Sequence, residues 1–454
     1  MVAFPSIEAD AGVPTDPNVV IVMADDMRWD SLIKPFSHDY MPTINDELVS
    51  KGIRFRYGMV PTSTCCPSRA STLTGLFAHS TKVWTTEAIH GGWQHFVAEG
   101  NEHRTLATAL DEQGYETGLF GKYLNGYGSE GDPYRPEGWD AWSSFWQGAN
   151  YFDYALTDGS TITVHGSEPA EYSTDVLAAE AVEFIRGAPT GSPIFLYYAP
   201  FGPHNPYTPP PRYDGQAGAL PAFRPASYDE PDVSDKPRWV RRLPSLTVHQ
   251  RAHLDETYRD QFEVLHAVDD GVADILAELG STGRLANTLV VFMSDNGLML
   301  GEHRLSQKYN PYEAATRIPM VIRWDAAGLD VGLDSEHLAL NLDVAATIQA
   351  ATGSDVGALE GEDLLAPPVR DGFVLEAWRK PGVDRPQYCG WRTKDALYVS
   401  YRNGDAEFYS YAADPNELRN AVDDPAFAPT IKAYRREARE ACDPVPPGFH
   451  WVHR

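Results

Sequence analysis

The chain has 454 residues, a formal net charge of −27, 43% hydrophobic residues and 22% charged ones. That length holds one large α/β domain with a smaller companion, or two to three modest domains, and the apolar share supplies a sizeable core. The negative charge excludes nucleic acid or an anionic membrane as the main partner, because long-range repulsion opposes both; any site for anions must carry its own cations.

In chain order, the opening stretch MVAFPSIEADAGVPTDPN lacks a basic segment and an apolar core. The expectation as written is a cytoplasmic chain without a signal peptide, or a secreted or periplasmic one if a leader has been removed. No run approaches the length of a membrane span. NVVIVMADD (18–26) is a short apolar run that stops abruptly in carboxylates. YETGLFGK (115–122), SPIFLYYAPFGPH (192–204), TLVVFMSDNG (288–297) and IPMVIRW (318–324) repeat that design. Such runs predict strands buried on both faces. RTLATALDEQG, EYSTDVLAAEAVEFIRG and YRDQFEVLHAVDDGVADILAELG predict helices before the second, third and fourth strands. Helix alternating with strand gives an α/β fold, a large mixed and mostly parallel sheet sandwiched by helices. Residues 200–244 are rich in proline and charge and read as a surface excursion, a substrate-side lid or a plain loop. After about residue 366, GFVLEAW, QYCGWRTKDALYVSYRN and AEFYSYAAD alternate as antiparallel strands do, and PTIKAYRREAREAC closes with a helix. Residues 1–365 are therefore assigned to a large α/β domain and 366–454 to a small C-terminal α+β subdomain.

The polar residues at the strand ends carry the chemistry. Asp25 and Asp26 end the first run, Lys122 the second, His204 the third, Asp295 and Asn296 the fourth. Ligands of open α/β sheets bind outside the carboxyl ends of the strands, so these groups meet at one edge. Asp25, Asp26, Asp295 and Asn296 form an all-oxygen set suited to a hard cation such as Ca²⁺ or Mg²⁺, with room for further oxygen ligands. His249 and His253 have the i, i+4 spacing of metal-binding pairs but no acidic or third ligand frames them, and they read as a solvated helix start. Asp269 and Asp270, within a helical pattern, read as a helix face or local salt bridges.

Cys65, Cys66, Cys389 and Cys442 are too few and too scattered for a disulfide framework, and no C-x-x-C pair offers a structural zinc site. Adjacent cysteines bridge poorly. Pro67 suits the first turn of a helix, which sets Cys65 and Ser68 at an N-terminus where amide dipoles favour an anion. Cys66 reads as a small buried hydrophobe.

CCPSRASTLTG (65–75) fits the signature C-x-P-S-R followed by x-x-x-L-T-G. Together with VIVMADDMRWD, GYETGLFGKYLNGYG, APFGPHNPYTPP, FMSDNGLMLGEH with Lys308 beyond it, and YSYAADPNELRN, it makes the chain resemble the formylglycine-dependent (type I) sulfatases of the alkaline phosphatase superfamily along nearly its whole length. The resemblance implies that a formylglycine-generating enzyme oxidises Cys65 to Cα-formylglycine. The hydrated aldehyde then attacks the sulfur of a sulfate ester with one hydroxyl and expels sulfate with the other. It implies that Asp25, Asp26, Asp295, Asn296 and modified Cys65 hold the cation, Ca²⁺ in most relatives with Mg²⁺ or Mn²⁺ as alternatives. Arg69 would steady the hydrate. Lys122, His204 and Lys308 would neutralise the sulfate oxygens, and His204 or Lys308 would protonate the leaving oxygen. Arg28 and His303 are further candidates for substrate contact.

Many arylsulfatases carry a histidine two residues after the lysine corresponding to Lys122. Here Leu124 stands there, followed by Asn125. This form resembles the glucosamine-6-sulfatase branch and tilts the substrate toward sulfated sugars. It leaves the base for sulfate release unassigned, with His79 and His303 as candidates. The alternative activity within the superfamily is a phosphonate monoester hydrolase or phosphodiesterase, which uses the same nucleophile and metal site.

Overall fold

The computed structural model describes residues 16–452 except 88, 330, 380, 381 and 383. Ten strands form one sheet: β1 (Asn18–Ala24), β2 (Ile53–Met59), β3 (Glu116–Gly121), β4 (Ala141–Phe145), β5 (Ala155–Thr157), β6 (Ile162–Val164), β7 (Ile194–Ala199), β8 (Thr288–Ser294), β9 (Met320–Arg323) and β10 (Leu333–Leu340). Their spatial order is β10-β2-β9-β8-β1-β7-β3-β4-β5-β6. The central run from β8 to β4 is wholly parallel. β9 runs antiparallel to both neighbours, and β5 and β6 close the far edge as antiparallel strands. The expected mixed, mostly parallel sheet is the observed one.

Alternation explains why the central runs are apolar throughout. Val20 and Val22 of β1 enter a core with Leu196, Tyr198, Val290 and Phe292, under helices α3 (Ser173–Gly187) and α4 (Val248–Ser281). Val19, Ile21 and Met23 point to the other face, with Phe195, Tyr197, Val291 and Met293. There they meet Ala70 and Leu73 of α1 (Cys65–Thr74), Leu106 and Leu110 of α2 (Leu106–Glu112), and Val344 and Ile348 of α5 (Asp343–Thr352). Each face burying against its own helix layer is what a doubly covered parallel sheet requires.

The second sheet, β11 (Gly372–Ala377), β12 (Tyr388–Thr393), β13 (Ala396–Tyr401) and β14 (Ala406–Ser410), is antiparallel throughout. One face (Phe373, Leu375, Leu397, Val399, Tyr401) packs on Met59, Tyr312, Leu338 and Leu340 of the larger body, and the other (Ala396, Tyr398, Phe408) on Ala438 and Tyr434 of α6 (Ala428–Ala441). One expectation is corrected here. Cys389 on β12 and Cys442 just after α6 form a disulfide across 53 positions, leaving Cys65 and Cys66 as the free cysteines. Two cysteines far apart in sequence suffice once the fold sets a helix end against a strand, with a Cα–Cα separation of 6.2 Å. No helix among the described residues is long and apolar enough to cross a membrane.

Candidate active site

Four central strands end at one edge, and each end has a local reason. β1 and β8 pair in parallel up to Ala24 opposite Ser294, so Asp25 and Asp295 emerge side by side, and Asp295 N donates to Ala24 O at 3.1 Å. Asp26 turns through a left-handed backbone (φ 65°), tolerated by aspartate, and its N–H donates to Asp295 Oδ1 at 3.2 Å. β3 ends on Gly121 (φ 126°), where a Cβ would lie 2.0 Å from Ala199 O. That close approach lets Lys122 N donate to the same oxygen at 2.8 Å, and Lys122 enters the site beside β7. The chain leaving β7 brings Gly202 O to Asp25 N at 3.0 Å and His204 to the rim.

Across this edge stands the N-terminus of α1. Thr64 is the extended residue before it, Cys65 its first residue, and Gly75 closes it in the left-handed conformation (φ 69°). Every residue from Cys65 to Thr74 is buried, Arg69 completely. The charged groups interlock. Lys122 Nζ donates to Asp25 Oδ2, and Lys308 Nζ to Asp26 Oδ1. Arg69 Nε donates to Asp295 Oδ2 at 2.8 Å, while its Nη1 holds Lys122 O at 2.7 Å. Cys65 Sγ lies 2.7 Å from Lys308 Nζ and 3.7 Å from Asp25 Oδ1. His204 Nε2 is 3.7 Å from Asp26 Oδ2, with its Nδ1 against Asn205 O at 2.7 Å.

Burial pushes the Asp25 carboxyl up, but Lys122, His204 and Arg69 outweigh it and hold it at about 2. Asp26 is likewise lowered, burial being overcome by Lys308 and His204. Burial pushes the Cys65 thiol up to about 12 despite both lysines, so the unmodified side chain is a protonated thiol at neutral pH. Burial also depresses His204, against the pull of Asp25 and Asp26.

Ligand atoms of Asp25, Asp26, Cys65 and His204 all lie within 4.8 Å of one another, a group able to hold a metal ion. Asn296 donates from Nδ2 to Asp26 Oδ1 at 2.6 Å, which leaves its buried Oδ1 without a hydrogen-bond partner. A buried orphaned amide oxygen beside three carboxylates matches the donor set of a hard cation.

The structure thus brings Asp25, Asp26, Cys65, Arg69, Lys122, His204, Asp295, Asn296 and Lys308 together. Arg28 and His303 stand behind the site, outside the lining of the cleft above it. Arg28 is buried against Asp30 (2.9 Å), Glu302 (2.9 Å) and the Leu298 carbonyl, and His303 Nδ1 is 2.6 Å from Glu230. His79 Nδ1 is 3.0 Å from Glu376, and Leu124 is buried in the core beneath α1. His253 lines the cleft above the site while His249 does not, and Asp269 accepts from Thr43 N and Ile44 N, a structural use.

A family model described as Sulfatase matches residues 17–354. The chain belongs to the sulfatase family. It is 31% identical over 341 residues to an extracellular sulfatase SULF-1 homolog of Drosophila melanogaster, covering 73% of this chain and 29% of that one. To the N-acetylglucosamine-6-sulfatase of Homo sapiens it is 29% identical over 405 residues, 87% of this chain and 71% of that one. This family member therefore spans less than a third of the Drosophila relative's length. A solved protein in complex with its substrate D-glucosamine-2-N,6-O-disulfate shares the fold with a TM-score of 0.79 at 22% identity, covering 94% and 98% of the two chains. The phosphonate monoester hydrolase of Agrobacterium radiobacter shares it with a TM-score of 0.72 at 20% identity, covering 94% and 95%.

Proposed function

We propose that the protein hydrolyses an organic sulfate ester to alcohol and inorganic sulfate, using a Cα-formylglycine made from Cys65 by a formylglycine-generating enzyme and a divalent cation, Ca²⁺ before Mg²⁺ or Mn²⁺. The observation that carries the reading is Cys65 at the start of a buried helix, within reach of Lys308 and Asp25 and facing the strand-end carboxylates. Its Sγ stands where an oxygen of the hydrated aldehyde would stand. Asp25, Asp26, Asp295 and Asn296 would hold the cation, and the orphaned Asn296 Oδ1 supports that assignment. When present, the cation supplies Lewis acidity and the hydrated aldehyde a pair of hydroxyls, one to attack sulfur and one to expel sulfate as the carbonyl re-forms.

The chain's own groups do the rest. Lys122 and Lys308 bring positive charge to sulfate oxygens inside an acidic protein. Arg69, locked on Asp295, holds the first turn of α1 in place. His204, with Nδ1 on the Asn205 carbonyl, presents Nε2 toward the site, and it or Lys308 protonates the departing alcohol. A sulfated sugar is the favoured substrate, supported by the Lys122-Tyr123-Leu124-Asn125 element and by relatives named N-acetylglucosamine-6-sulfatase. We further take residues 1–365 as the catalytic domain and 366–454 as a subdomain. The Cys389–Cys442 disulfide and the extracellular relative support a secreted or periplasmic setting. Because both cysteines are buried, thiol alkylation of denatured, unreduced protein should label neither Cys389 nor Cys442; labelling of both would remove that support.

The deciding experiment measures kcat/KM for a sugar sulfate, an aryl sulfate and a phenyl phosphonate monoester side by side. Sulfate esters are expected to dominate; preference for the phosphonate ester would overturn the assignment in favour of the alternative hydrolase. Calorimetric titration with Ca²⁺ should show binding that Asn296→Ala weakens at least about tenfold, the loss of one good ligand interaction. Unchanged affinity would remove Asn296 from the ligand set.

A further inference from the structure

Among the site residues, His204 alone is not buried. Its side chain is 26% exposed, while Asp25, Asp26, Cys65, Arg69, Lys122, Asp295, Asn296 and Lys308 are enclosed. It also lies beyond the end of β7, in a stretch (200–210) that forms neither helix nor strand. No ladder or helix fixes such a backbone, whereas a group that meets reacting atoms must be held to within about 0.5 Å.

The anchor comes from a distant segment. Tyr151, in the connection between β4 and β5, is fully buried and donates from its hydroxyl to His204 O at 2.6 Å. Tyr207 N donates to the same oxygen at 3.1 Å, so both lone pairs of that carbonyl are engaged. The ring of Tyr151 leans on Phe201, with centroids 5.1 Å apart, and Phe201 in turn carries the His204 imidazole at 4.7 Å. One tyrosine therefore braces His204 twice, through its carbonyl and through the ring it rests on.

Tyr151 is itself held. It stacks on Tyr172 (5.6 Å, 11°), and its carbonyl accepts from Ser173 N at 3.0 Å, at the start of α3. Tyr172, also fully buried, donates from its hydroxyl to Thr208 O at 3.0 Å. A buried hydroxyl without an acceptor is costly, so each is committed to its carbonyl. The two hydroxyls take carbonyls four residues apart and clamp the stretch between them onto α3, whose Leu177, Ala178 and Ala181 lie in the core.

Building on the sulfate-ester reading, we propose that Tyr151, seconded by Tyr172, is a positioning residue for His204. Neither tyrosine lines the cleft above the site. They act through His204, keeping its Nε2 at its place 3.7 Å from Asp26 Oδ2.

The test is a double-mutant cycle in protein co-produced with a formylglycine-generating enzyme. It is read as kcat/KM on N-acetylglucosamine 6-sulfate or 4-nitrophenyl sulfate, whichever wild type turns over faster. Tyr151→Phe keeps the ring contacts and deletes one oxygen. It should lower kcat/KM about tenfold, the worth of one hydrogen bond that fixes a reacting group. Introduced into His204→Ala, the same change should cost less than about twofold, because the residue it acts through is gone. Tyr172→Phe should give a smaller loss, about threefold, that also vanishes in His204→Ala. Tyr198→Phe deletes a hydroxyl from the same core, one that donates to Thr174 O at 3.2 Å, and should leave kcat/KM unchanged. Equal fold-losses for Tyr151→Phe in both backgrounds, no loss in wild type, or a matching loss in Tyr198→Phe would overturn the proposal. Should Tyr151→Phe fail to fold, the cycle on Tyr172→Phe decides by the same criteria. Wild-type protein inactive on every sulfate ester would instead overturn the hydrolase reading beneath it.

Discussion

Two buried clusters of charge lie near each other in this fold, and they are tuned in opposite directions. At the strand ends, Asp25, Asp26 and Asp295 face Lys122, Lys308 and Arg69, and Asp25 is held at about 2. Behind them, where the small sheet meets the larger body, Glu230 touches His303, while Glu417 accepts from Glu313 N and from Tyr411. There burial prevails: Glu230 is pushed up to about 7 and Glu417, with Glu313 adding to the effect, to about 8. The first cluster keeps its charges and opens onto a cleft, with one amide oxygen unspent. The second is led toward neutrality, Glu417 being hydrogen-bonded to backbone and tyrosine, and it borders a cavity of about 520 Å³ of its own. Buried ionisable groups beside a cavity therefore do not by themselves mark a site; a balance of opposite charge together with an unused ligand atom does.

The largest expected effect separates the two adjacent cysteines. Cys65→Ala should abolish sulfate-ester turnover, by about 10³-fold or more, whereas Cys66→Ala, in the apolar core, should retain most of it. Comparable losses at both positions would undo the asymmetry. Next, Lys308→Ala should lower kcat by about 10²–10³, the usual cost of removing one charge-stabilising donor. A matching loss in Glu417→Gln would erase the distinction between the clusters.

The disulfide sharpens the contrast from the other side. Replacing Cys389 and Cys442 by serine should destabilise the protein by up to roughly 4 kcal/mol, the loop-closure value for a 53-residue separation, without changing kcat of the folded fraction. A stability unchanged on thermal melting would mean that the bridge constrains little. The smallest effect is a slope. The folded pKa of Glu417 lies above its ordinary value of 4.5, so its contribution to stability is complete below pH 4.5 and is lost as pH rises toward about 8. Glu417→Gln should remove that decline, raising the melting temperature at pH 8 relative to pH 5 by about 2–4 °C against wild type. Asp25 has the opposite sign, its contribution being lost as pH falls from about 4 toward 2. Parallel pH profiles of wild type and Glu417→Gln would show that Glu417 is ionised in the fold.

Much of the site was legible because apolar runs with polar ends are a one-dimensional trace of a parallel sheet edge. Asp25, Lys122, His204 and Asp295 could be read that way, while Lys308 and the fate of Cys65 came only with the motif resemblance. β2 escaped notice since IRFRYGM interleaves Arg54 and Arg56, which pair with Asp334 and Glu336 at the surface. The Cys389–Cys442 bridge and the convergence of Tyr207, His253 and Gln307 depend on contacts across many intervening residues, for which local pattern offers no signal.

The most direct measurement is mass analysis of the peptide containing Cys65 from protein co-produced with a formylglycine-generating enzyme, paired with sulfate-ester turnover of the same sample. The account predicts that sulfur is lost at Cys65, that a hydrazine traps the resulting aldehyde, that Cys66 keeps its thiol, and that activity scales with the converted fraction. A free thiol at Cys65 in fully active protein would contradict it.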